Sequence, residues 1–271
     1  TMDQAPRLVR LAMAMNLVSE DHKEEWRGDD APHPFRVGMW IGSKSTPNRL
    51  DGGSKDRPDA KIMLRQVAES GKETGTARVI MFEECPWCGS DSIRSASNWE
   101  IGELRGRKSL IGRCEGEGCP ASSKRGMGIP FTSVDEDIYN NPPSILLATV
   151  DKFVQAAYNR KYSKASGAGG SDLDVRSLLG FSDHNRPPDL VVQDELHLLT
   201  GPLGSLSGLL ETAIETAWRY SRDHTPKYVA ATATIRGAER DTRLMYGRDL
   251  NVFPPPVDLA SDNFFAKDET D

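Results

Sequence analysis

The four cysteines of this chain form two close pairs, Cys85-Pro-Trp-Cys88 and Cys114-Glu-Gly-Glu-Gly-Cys119, with 25 residues between the inner members. Two such pairs, each on a tight turn, can converge so that four thiolates occupy the corners of a tetrahedron, which is the geometry of structural Zn²⁺. Gly89, Gly116 and Gly118 supply turn residues, although the second pair has four intervening residues where two are usual. A disulfide reading needs an oxidising compartment, and a redox CxxC reading leaves Cys114 and Cys119 without a role. Because four thiolates leave no open coordination position, the metal is expected to be structural, stapling a small insertion whose folding it drives by roughly 10 kcal/mol or more. Arg105, Arg107 and Lys108 lie in that insertion and are candidate DNA contacts; a merely solvated basic face is the other reading.

The second chemical constellation is Gln193-Asp194-Glu195-Leu196-His197, which follows the apolar run Leu190-Val191-Val192. A short buried strand that ends in adjacent carboxylates can offer one to Mg²⁺ and the next to a water attacking a γ-phosphate, which predicts nucleotide-driven chemistry. Taken alone the tetrapeptide is common, so its context carries the weight. A metal-dependent hydrolase with Asp194 and His197 as ligands lacks an evident third ligand nearby.

Several elements must position these groups. Leu8, Leu11, Ala12, Met15 and Val18 recur at helical spacing, predicting an amphipathic helix over 3–18. Phe35 to Ile41 alternates like a strand, Gly42 to Asp59 reads as a long exposed loop, and Ala77 to Phe82 is a strand candidate. Ser144 to Thr149 predicts a buried strand, Val150 to Tyr158 a helix, and Asn159 to Asp172 a polar, glycine-rich loop. Leu203, Leu206, Leu210, Ala213, Ile214 and Ala217 share a helical face, and Lys227 to Ala231 is a strand that closes on Thr232-Ala233-Thr234. Strands alternating with helices imply parallel β-α units, whose ligands sit at the carboxyl ends of the strands. Thr149, Asp194, Glu195 and Thr232 all fall on that edge, so they are expected to form one site.

Composition narrows the setting. A hydrophobic fraction of 37% beside 27% charged residues is that of a globular protein, and no apolar run approaches the roughly 20 residues that cross a bilayer. Thr1-Met2-Asp3-Gln4 lacks the basic start of a signal peptide, so a cytoplasmic location is expected. A net charge of −6 excludes binding to nucleic acid by bulk electrostatics and leaves only local contacts.

The order of DExH and then a strand ending in Thr-Ala-Thr resembles motifs II and III of superfamily 2 helicases. Leu147-Ala148-Thr149-Val150-Asp151-Lys152-Phe153 resembles motif Ib, and Thr1-Met2-Asp3-Gln4-Ala5-Pro6-Arg7 the tail of motif Ia. With the cysteine insertion and the string from Gln193 to Ser205, the chain resembles the helicase component of the DISARM anti-phage defence system. That resemblance implies an α/β fold: a partial RecA-like parallel sheet flanked by helices, residues 1–82 and 131–256, with a zinc ribbon inserted at 83–130 and a linker at 257–271. It implies that Asp194 holds Mg²⁺ and Glu195 activates water, that His197 and Gln193 sense nucleotide, and that Thr232 and Thr234 couple nucleotide state to DNA. Thr149 and Lys152 would lie on the phosphate track. It implies ATP, Mg²⁺ and structural Zn²⁺ as cofactors, and DNA and other components of the DISARM complex as partners. For the single residues simpler roles stand beside these: a surface or core histidine, strand-end threonines, an ordinary helix lysine. No Gly-x-x-x-x-Gly-Lys-[Ser/Thr] phosphate loop is present, and Gly71-Lys72-Glu73-Thr74 does not supply one. The expectation is therefore a fragment, with the phosphate loop before Thr1 and a second lobe beyond Asp271, inactive alone. A non-catalytic zinc-ribbon module that binds nucleic acid or protein is the competing class.

Overall fold

The computed structural model describes residues 4–22, 35–42, 45–54, 58–71, 78–104, 106–122, 127–158, 175–181, 185–198, 201–231 and 238–253. The chain forms two compact units, Thr1–Pro188 and Asp189–Asp271. The anticipated lobe at 1–82 and 131–256 thus has segments in both.

In the first unit, α1 (Gln4–Asp21) lies against β1 (Val37–Trp40), the middle strand of a three-stranded parallel sheet with β4 (Phe131–Thr132) and β5 (Ile145–Ala148) at its sides. Val37 pairs with Phe131 and with Ile145, and the β1–β5 register runs on to Trp40 opposite Ala148. All four residues of β1 are buried, because a central parallel strand is covered on both faces. The alternation expected from sequence belongs to a half-exposed strand and is not what is found. The α1 face also differs: Ala5, Val9, Ala12, Met13, Asn16 and Ser19 are buried, while Leu11 and Val18 are about half exposed. Asn16 turns inward because its amide brackets the backbone of Phe35, accepting from its N–H at 2.6 Å and donating to its carbonyl at 2.9 Å.

Within the stretch expected as an exposed loop at 42–59, the described residues pack, burying Thr46, Leu50 and Asp59. Asp59 caps α2 (Ala60–Ser70), its carboxylate accepting from the N–H of Ile62 at 2.7 Å and of Gly53 at 2.6 Å. Gly71, with φ of 68°, ends the helix in the left-handed conformation. Residues 78–82 form no strand; Val79 and Phe82 are buried in irregular chain, and Ala77 lies outside the described residues. A hairpin of β2 (Trp99–Leu104) and β3 (Arg107–Gly112) follows, then α3 (Asp135–Asn140), α4 (Val150–Tyr158) and the short α5 (Val175–Leu178). One hydrophobic core runs through the unit, joining Met13, Val37, Leu50 and Met63 to Trp99, Leu110, Phe131 and the buried Cys85, Cys114 and Cys119.

In the second unit, β6 (Leu190–Gln193) pairs in parallel with β7 (Lys227–Ala230), joined by α6 (Gly201–Arg222) and followed by α7 (Ala238–Tyr246). Tyr228 stacks on Tyr246 of α7 at 5.0 Å, so the helices lie on the face that carries Val191, Gln193, Tyr228 and Ala230. On the other face Leu190, Val192 and Val229 are exposed, which corrects the expectation of a buried strand. The loop expected at 159–172 and the linker at 257–271 lie outside the described residues.

Candidate functional site

The cysteine pairs converge. Their four sulfurs lie within 4.8 Å of one another, with Cys85 Sγ 3.8 Å from Cys119 Sγ and Cys88 Sγ 3.5 Å from Cys114 Sγ. Sulfurs placed about 2.3 Å from a central Zn²⁺ in a tetrahedron stand about 3.8 Å apart, so the donor set fits zinc in type and spacing. All four are free thiols, three buried and Cys88 exposed. Burial opposes ionisation of Cys114, but the N–H of Gly116, the Ser92 hydroxyl and the neighbouring thiols outweigh it and bring the group down to about 7. Burial pushes Cys85 and Cys119 up. Gly116 is required by contact: a Cβ there would lie 2.7 Å from Cys88 Sγ and 3.3 Å from Cys114 Sγ.

Sequence reasoning missed what holds this centre to the sheet. Arg36, just before β1, and Asp137 of α3 are both buried and form a two-pronged pair, Nη1 to Oδ1 at 3.0 Å and Nη2 to Oδ2 at 2.8 Å. Asp137 also accepts from the Ser109 hydroxyl, the Leu110 N–H and the Asn141 amide, at 3.1, 2.9 and 3.1 Å. Arg36 donates in turn to Ser109 Oγ and the Leu110 carbonyl on β3. The only sequence sign was a pair of opposite charges 101 residues apart.

The basic residues of the hairpin are partly engaged. Arg107 donates to the Asn140 carbonyl at 2.6 Å, and Lys108 pairs with Asp51 at 2.7 Å, which raises the lysine. Arg105 lies outside the described residues. Thr149 directly follows β5, its carbonyl accepting from the N–H of Lys152 at 3.0 Å. Lys152 is not on an exposed track: it is buried, its ammonium 2.6 Å from Asp135 and 5.8 Å from the Trp40 ring centroid. Burial nonetheless pushes Asp135 up to about 6 against the pull of Lys152.

In the second unit the acids leave β6 on a sharp turn. Glu195 adopts φ of 53°, a left-handed conformation uncommon for a residue with a Cβ. The turn is sewn to the end of β7, with the Ala231 N–H on the Gln193 carbonyl at 2.8 Å and the Leu196 N–H on the Ala231 carbonyl at 3.0 Å. Asp194 and Glu195 are exposed, and Glu195 Oε2 stands 3.3 Å from Nδ1 of His197. Gln193 points away from the acids into the helices: its Nε2 donates to Glu211 Oε1 at 2.5 Å, and its Oε1 accepts from the Tyr246 hydroxyl. Thus Asp194, Glu195 and His197 are brought together on the exposed turn, while the Gln193 side chain is taken up by the helices. Thr232 and Thr234 lie outside the described residues, and Thr149 and Lys152 belong to the first unit. Among the described residues no helix is long and apolar enough to cross a membrane.

No family model matches the chain. A curated protein does: over 291 aligned residues, covering 99% of this chain but 25% of the relative, identity is 30%. The chain, which spans about a quarter of the length of that curated relative, resembles the DISARM protein DrmA of Bacillus paralicheniformis.

Proposed function

We propose that this chain is part of the first, RecA-like motor lobe of an ATP-driven superfamily 2 DNA helicase or translocase, stapled by a zinc ribbon and acting in defence against phage. The observation that carries this reading is Glu195. It is a strained carboxylate at the carboxyl end of a parallel strand, exposed, next to Asp194 and paired with His197. Strain of this kind persists only where surrounding structure imposes it, and it concentrates where a side chain must be aimed. The similarity to a DISARM protein supports the defence role, and DNA and other DISARM components are the partners proposed.

In this reading Asp194 would hold Mg²⁺, which would supply charge stabilisation to the phosphates, and Glu195 would orient and deprotonate the water that attacks the γ-phosphate. His197 holds the Glu195 carboxylate toward that water. Asp194 and Glu195 leave the chemistry to positioning and charge stabilisation. Zinc would be held by Cys85, Cys88, Cys114 and Cys119 in a closed, structural site. Thr232, Thr234, Thr149 and the basic residues Arg105, Arg107 and Lys108 are proposed to couple to or contact DNA. Lys152 is better read as a core ion pair.

The test is Glu195→Gln in the intact protein. ATP hydrolysis is expected to collapse while ATP and DNA binding survive; unchanged hydrolysis would leave the non-catalytic zinc-ribbon module as the better reading. Residues 1–271 alone, which contain no phosphate loop, are expected to show neither turnover nor tight ATP binding.

A further inference from the structure

We propose that Glu211 and Tyr246 are positioning residues for the acidic turn, gripping the Gln193 amide from two helices so that Asp194 and Glu195 leave the strand at one fixed angle. The proposal rests on the phosphoryl-transfer reading of that turn. Gln193 is the last residue of β6, and both ends of its side chain are taken: Nε2 by Glu211 of α6 and Oε1 by the hydroxyl of Tyr246 at the end of α7. Its backbone carbonyl simultaneously accepts from Ala231 beyond β7. One residue therefore ties two helices and the neighbouring strand together, immediately before the acids. A loosened Gln193 would let the following turn rotate, and an error of about 1 Å in a catalytic group can cost on the order of a hundredfold in rate.

The surroundings make the grip sensitive to charge. Glu211 is half-buried, and desolvation pushes it up to about 7, with the Gln193 bond acting against that shift and Glu215 adding to it. The groups that face it are Gln193 from β6, Tyr228 from β7, Tyr246 from α7 and Glu215 one turn along α6. Arg248 pairs with Glu215 at 2.6 Å and lies 4.9 Å from the Tyr228 ring centroid, neutralising Glu215 and leaving Glu211 without a cation among the described residues. Its Oε2 is buried with no partner among the described residues. Above neutral pH the Glu211 carboxylate holds Gln193 by a charge-assisted bond; once protonated it holds Gln193 by a weaker neutral one.

The experiment is steady-state ATP hydrolysis against pH in the intact protein, comparing wild type with Glu195→Gln, Glu211→Gln, Glu211→Leu and Tyr246→Phe. Glu211→Gln keeps an acceptor oxygen toward Gln193 and cannot titrate. It is expected to hold, at pH 6 and at pH 8 alike, the lowered kcat expected of wild type below about pH 7, a few-fold beneath the wild-type value at pH 8. Glu211→Leu and Tyr246→Phe are expected to lower kcat on the order of tenfold or more, with a smaller change in the KM for ATP. Wild-type pH profiles in Glu211→Gln, together with wild-type kcat in Tyr246→Phe, would overturn the proposal while Glu195→Gln remained inactive. If wild type itself hydrolyses no ATP, the parent reading fails and this one with it. Should Glu211→Leu fail to fold, the other two variants decide.

Discussion

At the scale of single residues, the acidic turn trades stability for geometry. The left-handed backbone of Glu195 costs roughly 1 kcal/mol for a residue with a Cβ and almost nothing for glycine. Glu195→Gly is therefore expected to raise resistance to denaturant by about that amount while abolishing ATP hydrolysis in the intact protein. A destabilised Glu195→Gly protein in a urea titration would contradict the strain. Glu211 adds a pH term with a definite sign. Its folded pKa, about 7, lies above the ordinary 4.5, so the folded state holds the proton more tightly. The associated stability is fully present below about pH 4.5 and is lost as pH rises through about 7. Glu211→Gln should accordingly gain on wild type as pH goes from 5 to 8, by on the order of 1–3 kcal/mol in paired denaturant titrations. Equal differences at the two pH values would show that burial does not shift the group. None of this was legible in sequence, where Glu211 is one of many helix acids and Gln193 stands next to more conspicuous neighbours.

At the scale of elements, the hairpin between the two cysteine pairs is held to the sheet by charge as well as by apolar packing. Asp137 is fully buried and every hydrogen bond it accepts fixes Arg36, β3 or the end of α3. Removing one member of a buried pair strands the other, at about 3–5 kcal/mol, whereas replacing both with apolar groups of similar volume is far less costly. Asp137→Leu should lower the unfolding midpoint sharply, and Arg36→Met with Asp137→Leu should recover much of the loss. A double variant no better than the single one would show that the ionic pair itself, rather than its uncompensated half, stabilises the contact. Which elements exist was partly readable. The helix at 150–158 and the strands at 145–148, 190–193 and 227–230 are where periodicity put them. In the helix at 60–70, Ala60, Met63, Leu64 and Val67 have helical spacing and Asp59 is a cap, but the turn formers that precede it mask that pattern in the sequence. The buried face of α1 departs from the apolar pattern because Asn16, polar by type, is drawn inward by the backbone of Phe35, a partner that sequence does not display.

At the scale of the molecule, the cysteine centre is continuous with the core of the first unit, so metal loss should not be confined to residues 83–130. Chelation at neutral pH is expected to release one Zn²⁺ per chain and to lower the cooperative unfolding of the first unit as a whole, read by elemental analysis with circular dichroism. Gly116→Ala should weaken zinc binding at least tenfold in competition with a chromophoric chelator, since the added methyl meets two ligand sulfurs. Zinc retained after all four cysteines are replaced would point instead to a site elsewhere, such as Asp194 and His197.

Local chemistry was decided by the sequence itself. The two cysteine pairs foretell four sulfurs that converge, and an apolar run ending in Gln-Asp-Glu-Leu-His foretells carboxylates just beyond a strand, because each follows from short stretches of chain with marked local geometry. Tertiary structure alone decided which side chains support them. Arg36 meets Asp137 across 101 residues, Lys152 turns inward to Asp135, and Gln193 is held by Glu211 and Tyr246, 18 and 53 residues on. Such pairings depend on how elements stack, and a charged or amide side chain carries no mark of its partner until packing has removed it from water.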